Sequence, residues 1–197
     1  MKTDAPTTKA GKKARTHENI LDSAARLVRE RGISGAKVAE VMEGAGLTVG
    51  GFYAHFASKE ALVDEALRRT SAKLRVHLFK GIEEKPKEDR AIVLLKRYLS
   101  VAHRDEYVHG CPMPAVLGEV GTTKPEHAEV VAEQLEALGA ELAPHLPDAG
   151  LPRRQLALGL AAMMVGALSI ARATKGTSLS EDVLKASRAL GAKLLGR

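Results

Sequence analysis

Residues 37–54 read KVAEVMEGAGLTVGGFYA, and the pattern of this stretch decides the fold. Val38, Val41 and Met42 recur at helical spacing over 37–44, the run Ala45-Gly46-Leu47 interrupts them, and a second short helix is expected over 48–54. A tight turn between helices needs a left-handed backbone, which costs glycine little, so Gly46 marks the turn. Two short helices around such a turn make a helix-turn-helix. Val38, Val41, Leu47 and Phe52 are expected to pack this pair on the preceding helix, leaving Thr48, Val49, Gly50, Gly51 and Tyr53 outward. A helix placed this way presents its first residues to base edges in the major groove of DNA. Adjacent glycines weaken a helix by about 1 kcal/mol each. Gly50 and Gly51 make sense where the backbone itself must approach DNA. The plainer alternative is a helical turn in an ordinary core.

Helical signals continue on both sides. Upstream, a helix is expected from Thr16, with Ile20, Leu21, Ala24, Leu27 and Val28 on one face and Gly32 at its end. Residues 1–15 carry no apolar period and read as a flexible basic arm. Downstream, Ser58 caps a helix reaching about Phe79. Further helices are expected after Pro86 with Ile92, Leu95, Leu99 and Ala102 inward, from 110–114 to about Val120, and from Pro125 to Leu142. The last two run from Pro152 to about Thr174 and from about Leu179 to Leu195. That makes about nine helices and no strand.

Composition supports an all-α chain. Of 197 residues, 45% are hydrophobic and 27% charged, an ordinary globular balance. Aromatics are only 3%, which argues against a β-sandwich or barrel. One cysteine, Cys111, excludes an internal disulfide framework and a cysteine-cluster zinc site. No metal-ligand spacing and no cofactor motif is found. Residues 1–15 lack the apolar stretch of a secretion signal, and the longest uncharged apolar run, 156–171, is short of the roughly 20 residues of a membrane span. A cytoplasmic protein without a membrane partner is expected. Residues 1–75 hold fourteen Lys or Arg against nine Asp or Glu, while 76–197 are nearly balanced. A positive excess confined to one end suits a polyanionic partner, nucleic acid first.

Specific residue strings add to this reading. Ile20-Leu21-x-x-Ala24-Ala25, then Gly32, then Val38-x-x-Val41-Met42 and Ala45-Gly46-Leu47-Thr48 stand at consistent spacing. Phe52-Tyr53-Ala54-His55-Phe56 and Ser58-Lys59-Glu60-Ala61-Leu62 complete the series. Together they closely resemble the DNA-binding domain of the TetR/AcrR family of bacterial repressors. Ala36, where that family often has Thr, and Met42, where it often has Ala, depart from the pattern. The resemblance implies a helix-turn-helix domain over 16–60 and a regulatory and dimerisation domain over 61–197. It places Thr48, Val49, Gly50 and Gly51 on the recognition helix. It implies phosphate contacts for Tyr53, His55 and Lys59, a backbone or base contact for Lys37, and added phosphate contacts for Arg15 and His17. Phe56 reads as core, and His55 could be a structural histidine.

The second half resembles a branch of the family in which a cysteine opens the sixth helix. Cys111 at a helix N-terminus would favour a thiolate that reacts with electrophiles or oxidants. The competing readings are a small buried hydrophobe, or a non-covalent effector pocket lined by Met113, Leu117, Leu95, Leu99 and Met163. The apolar run 156–171 suggests burial on more than one side, and its small residues permit close approach. Leu156, Gly159, Ala162, Met163, Gly166, Ala167 and Ile170, with Val183 and Leu190 of the last helix, are the expected homodimer interface. The functional expectation is an effector-responsive repressor binding a palindromic operator as a dimer, and no enzyme. The alternatives are a helical thiol enzyme using Cys111 with His109 or His103, and an architectural DNA binder.

Overall fold

Ile20, Leu21, Ala24, Leu27 and Val28 do line one buried stripe, and they seat the first helix at the centre of the N-terminal head. The structure, a computed structural model, describes residues 9–106 and 110–196. Helix α1, Lys9–Gly35, begins seven residues ahead of Thr16. The run KAGKKAR over 9–15 is rich in good helix formers and extends α1 toward the N-terminus. That portion of the expected arm is therefore helical, while its residues 1–8 lie outside the described residues. At Gly32 the backbone turns to φ 74 and ψ −177, so 33–35 form a separate final turn.

Helix α2, Val38–Gly44, closes on Gly46 at φ 72. The Gly46 N–H donates to Glu43 O and the Leu47 N–H to Met42 O, both at 2.9 Å. This is a Schellman ending, and Gly46 occupies its left-handed position. The expected second helix is instead a tight 3-10 turn, Val49–Ala54. Two glycines weaken the α form, and Thr48 makes no side-chain cap, so the shorter geometry wins.

Helix α3, Lys59–Phe79, is capped by Ser58, whose Oγ accepts the Ala61 N–H at 3.1 Å. At 21 residues it is about 31 Å long and joins the head to the second half. The helix expected after Pro86 is two: α4, Arg90–Tyr98, and α5, Val101–Asp105. Ser100 is extended and its Oγ caps α5 through the His103 N–H, which breaks the continuous run. Then come α6, Met113–Val120, α7, Ala128–Leu142, α8, Arg153–Ala173, and α9, Ser178–Leu194. Among the described residues there are nine α-helices and no strand. The number matches expectation, but the segment 49–54 is not among them and the fifth is divided.

The core runs through both halves. Ile20, Met42 and Leu67 enclose the head, while Leu94, Leu99, Val116, Leu142 and Met164 fill the body. Each such side chain contributes about 2 kcal/mol through burial. Arg29, itself buried, donates to Thr70 Oγ1 and ties α1 to α3. The buried His127 bonds Asp64 at 2.6 Å and fixes the start of α7 against α3. Helix α8 is long and apolar enough to cross a membrane, but half of that apolar stretch is buried inside the protein. Helices α8 and α9, joined by the short connection 174–177, pack as a hairpin.

Candidate nucleic-acid interface and sensor region

The turn Val49–Ala54 is anchored from beneath by Phe52, which is 2% exposed. Its ring stacks with Phe56 at 5.8 Å and meets Tyr53 edge-on at 5.2 Å. Met42 closes over the same turn, its methyl 3.7 Å from where a Cβ on Gly51 would lie. This anchoring leaves Thr48, Val49, Gly50 and Tyr53 exposed, with Tyr53 at 78%. A Cβ on Gly50 would meet nothing, so the outer surface of the turn is free for a partner. Gly51 is half-buried.

Lys37 is the N-cap of α2 and Lys59 opens α3. Arg15 lies on the first turns of α1, exposed. None of the three cations forms an ion pair among the described residues, whereas Arg26, Arg31, Arg68 and Arg69 all do. His17, expected to contact phosphate, is engaged within the chain. Its Nε2 is held by Glu65 Oε1 at 2.7 Å, and its ring stacks on Phe56 at 4.5 Å. The His17 and His55 rings lie 6.1 Å apart, which brings the first turns of α1 against the end of the turn Val49–Ala54. Burial pushes the His55 pKa down, helped by His17 and Lys13, and its Nδ1 is enclosed without a hydrogen-bond partner.

Cys111 is 2% exposed, and burial pushes its thiol up from its ordinary range. This disfavours the thiolate expected at a helix N-terminus, because the cost of burying charge exceeds the help from Tyr98 and Arg172. Beside it lies the Tyr98 hydroxyl, fully buried and without a well-formed hydrogen bond. His103 is brought to Cys111, but to its backbone. The Cys111 N–H donates to His103 Nε2 at 3.1 Å, and His103 Nδ1 meets Tyr98 O at 2.7 Å. The neutral tautomer with its proton on Nδ1 satisfies both contacts, so neither nitrogen is free to take a proton from the thiol. His109 lies outside the described residues. Lys175 pairs with Asp105 at 2.9 Å.

His103 makes a pH prediction. Burial lowers its pKa from 6.5 to about 4 in the folded chain. Between those values the unfolded chain binds more protons, so this contribution is complete above the unfolded pKa and is lost as pH falls toward about 4. It amounts to at most about 3 kcal/mol. Thermal midpoints followed from pH 7.5 to 4.5 are expected to fall less steeply in His103→Gln than in wild type. Parallel curves would show that His103 does not carry the effect.

None of the expected effector residues Met113, Leu117, Leu95, Leu99 and Met163 lines the main clefts among the described residues. Leu95, Leu99 and Met113 are buried core, while Leu117 and Met163 are partly buried against it. Met163 and Leu95 instead reach Gly191, whose missing side chain lets α9 approach α4. A cleft of about 670 Å³ opens elsewhere, between the C-terminal half of α3 and α4–α5. Leu74, Leu78 and Tyr98 form its apolar wall, with His77, Lys80 and Arg97 among its polar groups. Arg97 donates to Leu78 O at 2.7 Å and Lys80 O at 2.9 Å, capping the end of α3.

The expected dimer face is also partly corrected. Leu156 and Ala167 are buried inside their own subunit, because they point toward the body rather than away. Gly159, Ala162, Gly166 and Ile170 form the exposed stripe of α8, and Leu190 is exposed on α9. Met163 and Val183 are half-buried beside them. Leu179 and Leu194, absent from the sequence-based set, extend the exposed apolar surface of α9. Their spacing with Val183, Ala186 and Leu190 is helical and was readable in the sequence.

Residues 20–66 match the model of a protein family described as bacterial regulatory proteins, tetR family. The HTH-type transcriptional repressor KstR2 of Mycobacterium tuberculosis is 47% identical over 49 residues, which are 25% of this chain and 24% of that one. The chain thus aligns with about a quarter of the length of the curated relatives it matches. The reduced form of NemR from E. coli shares the fold with a TM-score of 0.77 at 22% identity, over 91% of this chain and 96% of the other. A TetR transcriptional regulator from Chloroflexus aurantiacus has a TM-score of 0.76 at 27% identity, over 94% and 96%.

Proposed function

We propose that this chain is a transcriptional repressor of the tetR type, which binds a palindromic operator as a homodimer and releases it on binding a small effector. The observation that carries this reading is the exposed turn Thr48 to Tyr53 between Lys37 and Lys59, cations without an ion pair among the described residues, within the segment that matches the family model. Thr48, Val49 and the Gly50-Gly51 backbone would read base edges, while Tyr53, His55, Lys59, Lys37 and Arg15 would hold phosphates. A twofold dimer through α8 and α9 would space two such turns by about one DNA turn, roughly 34–36 Å. The buried, neutral Cys111 speaks for a non-covalent effector over an electrophile. The 670 Å³ cleft is large enough for one, and its apolar wall with His77, Lys80, Arg97 and Glu106 suits an apolar molecule carrying a polar group. The repressor would act in the cytoplasm.

Selection from random-sequence DNA, followed by gel-shift titration, tests the reading. Tyr53→Ala and Lys37→Ala are each expected to weaken the selected site about tenfold. Lys37→Ala should also reduce the slope of log affinity against log salt by about 1. Failure of wild type to enrich any sequence, or full affinity in both variants, would sink the proposal.

A further inference from the structure

Glu119 sits at the end of α6, yet its carboxylate is committed to α1. Oε1 accepts the Ile33 N–H at 2.8 Å, and Oε2 accepts the Ser34 N–H at 2.9 Å and the Ser34 hydroxyl. The two chain segments are 86 residues apart. The contact exists because α1 breaks at Gly32, which turns the amides of its last turn outward toward α6. A Cβ on Gly32 would collide with Glu119 Oε1, so glycine, which the φ of 74 already favours, also lets the carboxylate keep this position. Partial burial works against the carboxylate's charge, yet the Ser34 hydroxyl and the Ser34 and Ile33 amides outweigh it and hold the pKa below its ordinary range.

Both ends of α6 are thereby held. Ahead of it, Cys111 O accepts from Arg172 Nη1 at 2.9 Å and the Cys111 N–H donates to His103. At its far end the Glu119 backbone oxygen accepts from the Thr123 and Lys124 amides, each at 2.7 Å. The α1 turn gripped by Glu119 is followed, after Ala36, by Lys37, the N-cap of α2. The Lys37 N–H donates to Gly35 O at 3.1 Å within that same turn. A shift of α6 therefore reaches the start of the helix-turn-helix through this carboxylate as well as through the packing of α6 on α1.

We propose that Glu119 is a positioning residue for DNA binding, fixing the start of α2 and its Lys37 to α6. The inference rests on the repressor reading and adds the residue through which the second half governs the first. Glu119→Gln keeps the size of the side chain but sets an amide donor against an amide donor. Ile33 and Ser34 amide exchange is expected to quicken about tenfold. Operator affinity is expected to fall about tenfold, with a thermal midpoint within a few degrees of wild type. A merely structural role would not couple Glu119 to Lys37. Lys37→Ala, costly in wild type, is therefore expected to cost less than about threefold in the Glu119→Gln background. Additive losses, or an unchanged affinity in Glu119→Gln, would overturn the inference and leave the repressor reading standing. Absence of specific binding by wild type would remove both.

Discussion

Glutamate in place of Gly166 is expected to leave the subunit folded and to convert the proposed dimer into monomers. Gly166 lies on the exposed stripe of α8, and a Cβ there would meet nothing within 4 Å in its own chain. The subunit therefore has room for the new side chain. Replacing a mid-helix glycine also improves helix propensity by roughly 0.5 kcal/mol. The same position in a twofold interface would place two carboxylates against apolar surface near each other. Burying each without a partner costs several kcal/mol, enough to raise the dimer dissociation constant by about a thousandfold. Sedimentation at micromolar protein should show a monomer with native helical content, and operator affinity should fall by more than about a hundredfold. A Gly166→Glu protein that sediments as wild type would move the interface away from this stripe.

Phe52→Ala is expected to remove DNA binding by a different route, through loss of the recognition turn itself. That turn has no side-chain cap at Thr48 and carries two adjacent glycines, so its own backbone preferences hold it weakly. Phe52 and its stack on Phe56 supply the tertiary anchor. Truncation of a buried phenylalanine costs about 3–5 kcal/mol, a large share of a stability on the order of 5–15 kcal/mol. The thermal midpoint should fall by about 10 °C, and specific DNA binding should drop by more than about a hundredfold. Tyr53→Ala is the control, since that side chain is 78% exposed and contributes little to the fold. Equal midpoints for the two variants, or full affinity in Phe52→Ala, would refute this account of the turn.

The sequence by itself determined what depends on neighbours along the chain. The apolar stripe from Ile20 to Val28, the Schellman glycine Gly46 and the Ser58 cap each use spacings of five residues or fewer, so composition and order suffice to place them. The exposed apolar stripe of α9 was legible by the same rule. Tertiary structure decided whatever depends on the opposing surface. Leu156 and Gly159 look alike in an apolar run, but only packing turns the first inward and the second out. Cys111 looks poised before a helix, but α8 and the Tyr98–His103 pair enclose it, and burial pushes its thiol up from the ordinary range. The recognition segment is a 3-10 turn because Phe52 and Met42 anchor what two glycines loosen. Gly32 announced a helix end, while the carboxylate that grips that end comes from 86 residues away. Local geometry is set by backbone preference within a turn or two, whereas burial, charge state and coupling are set by contacts that form only when distant segments meet.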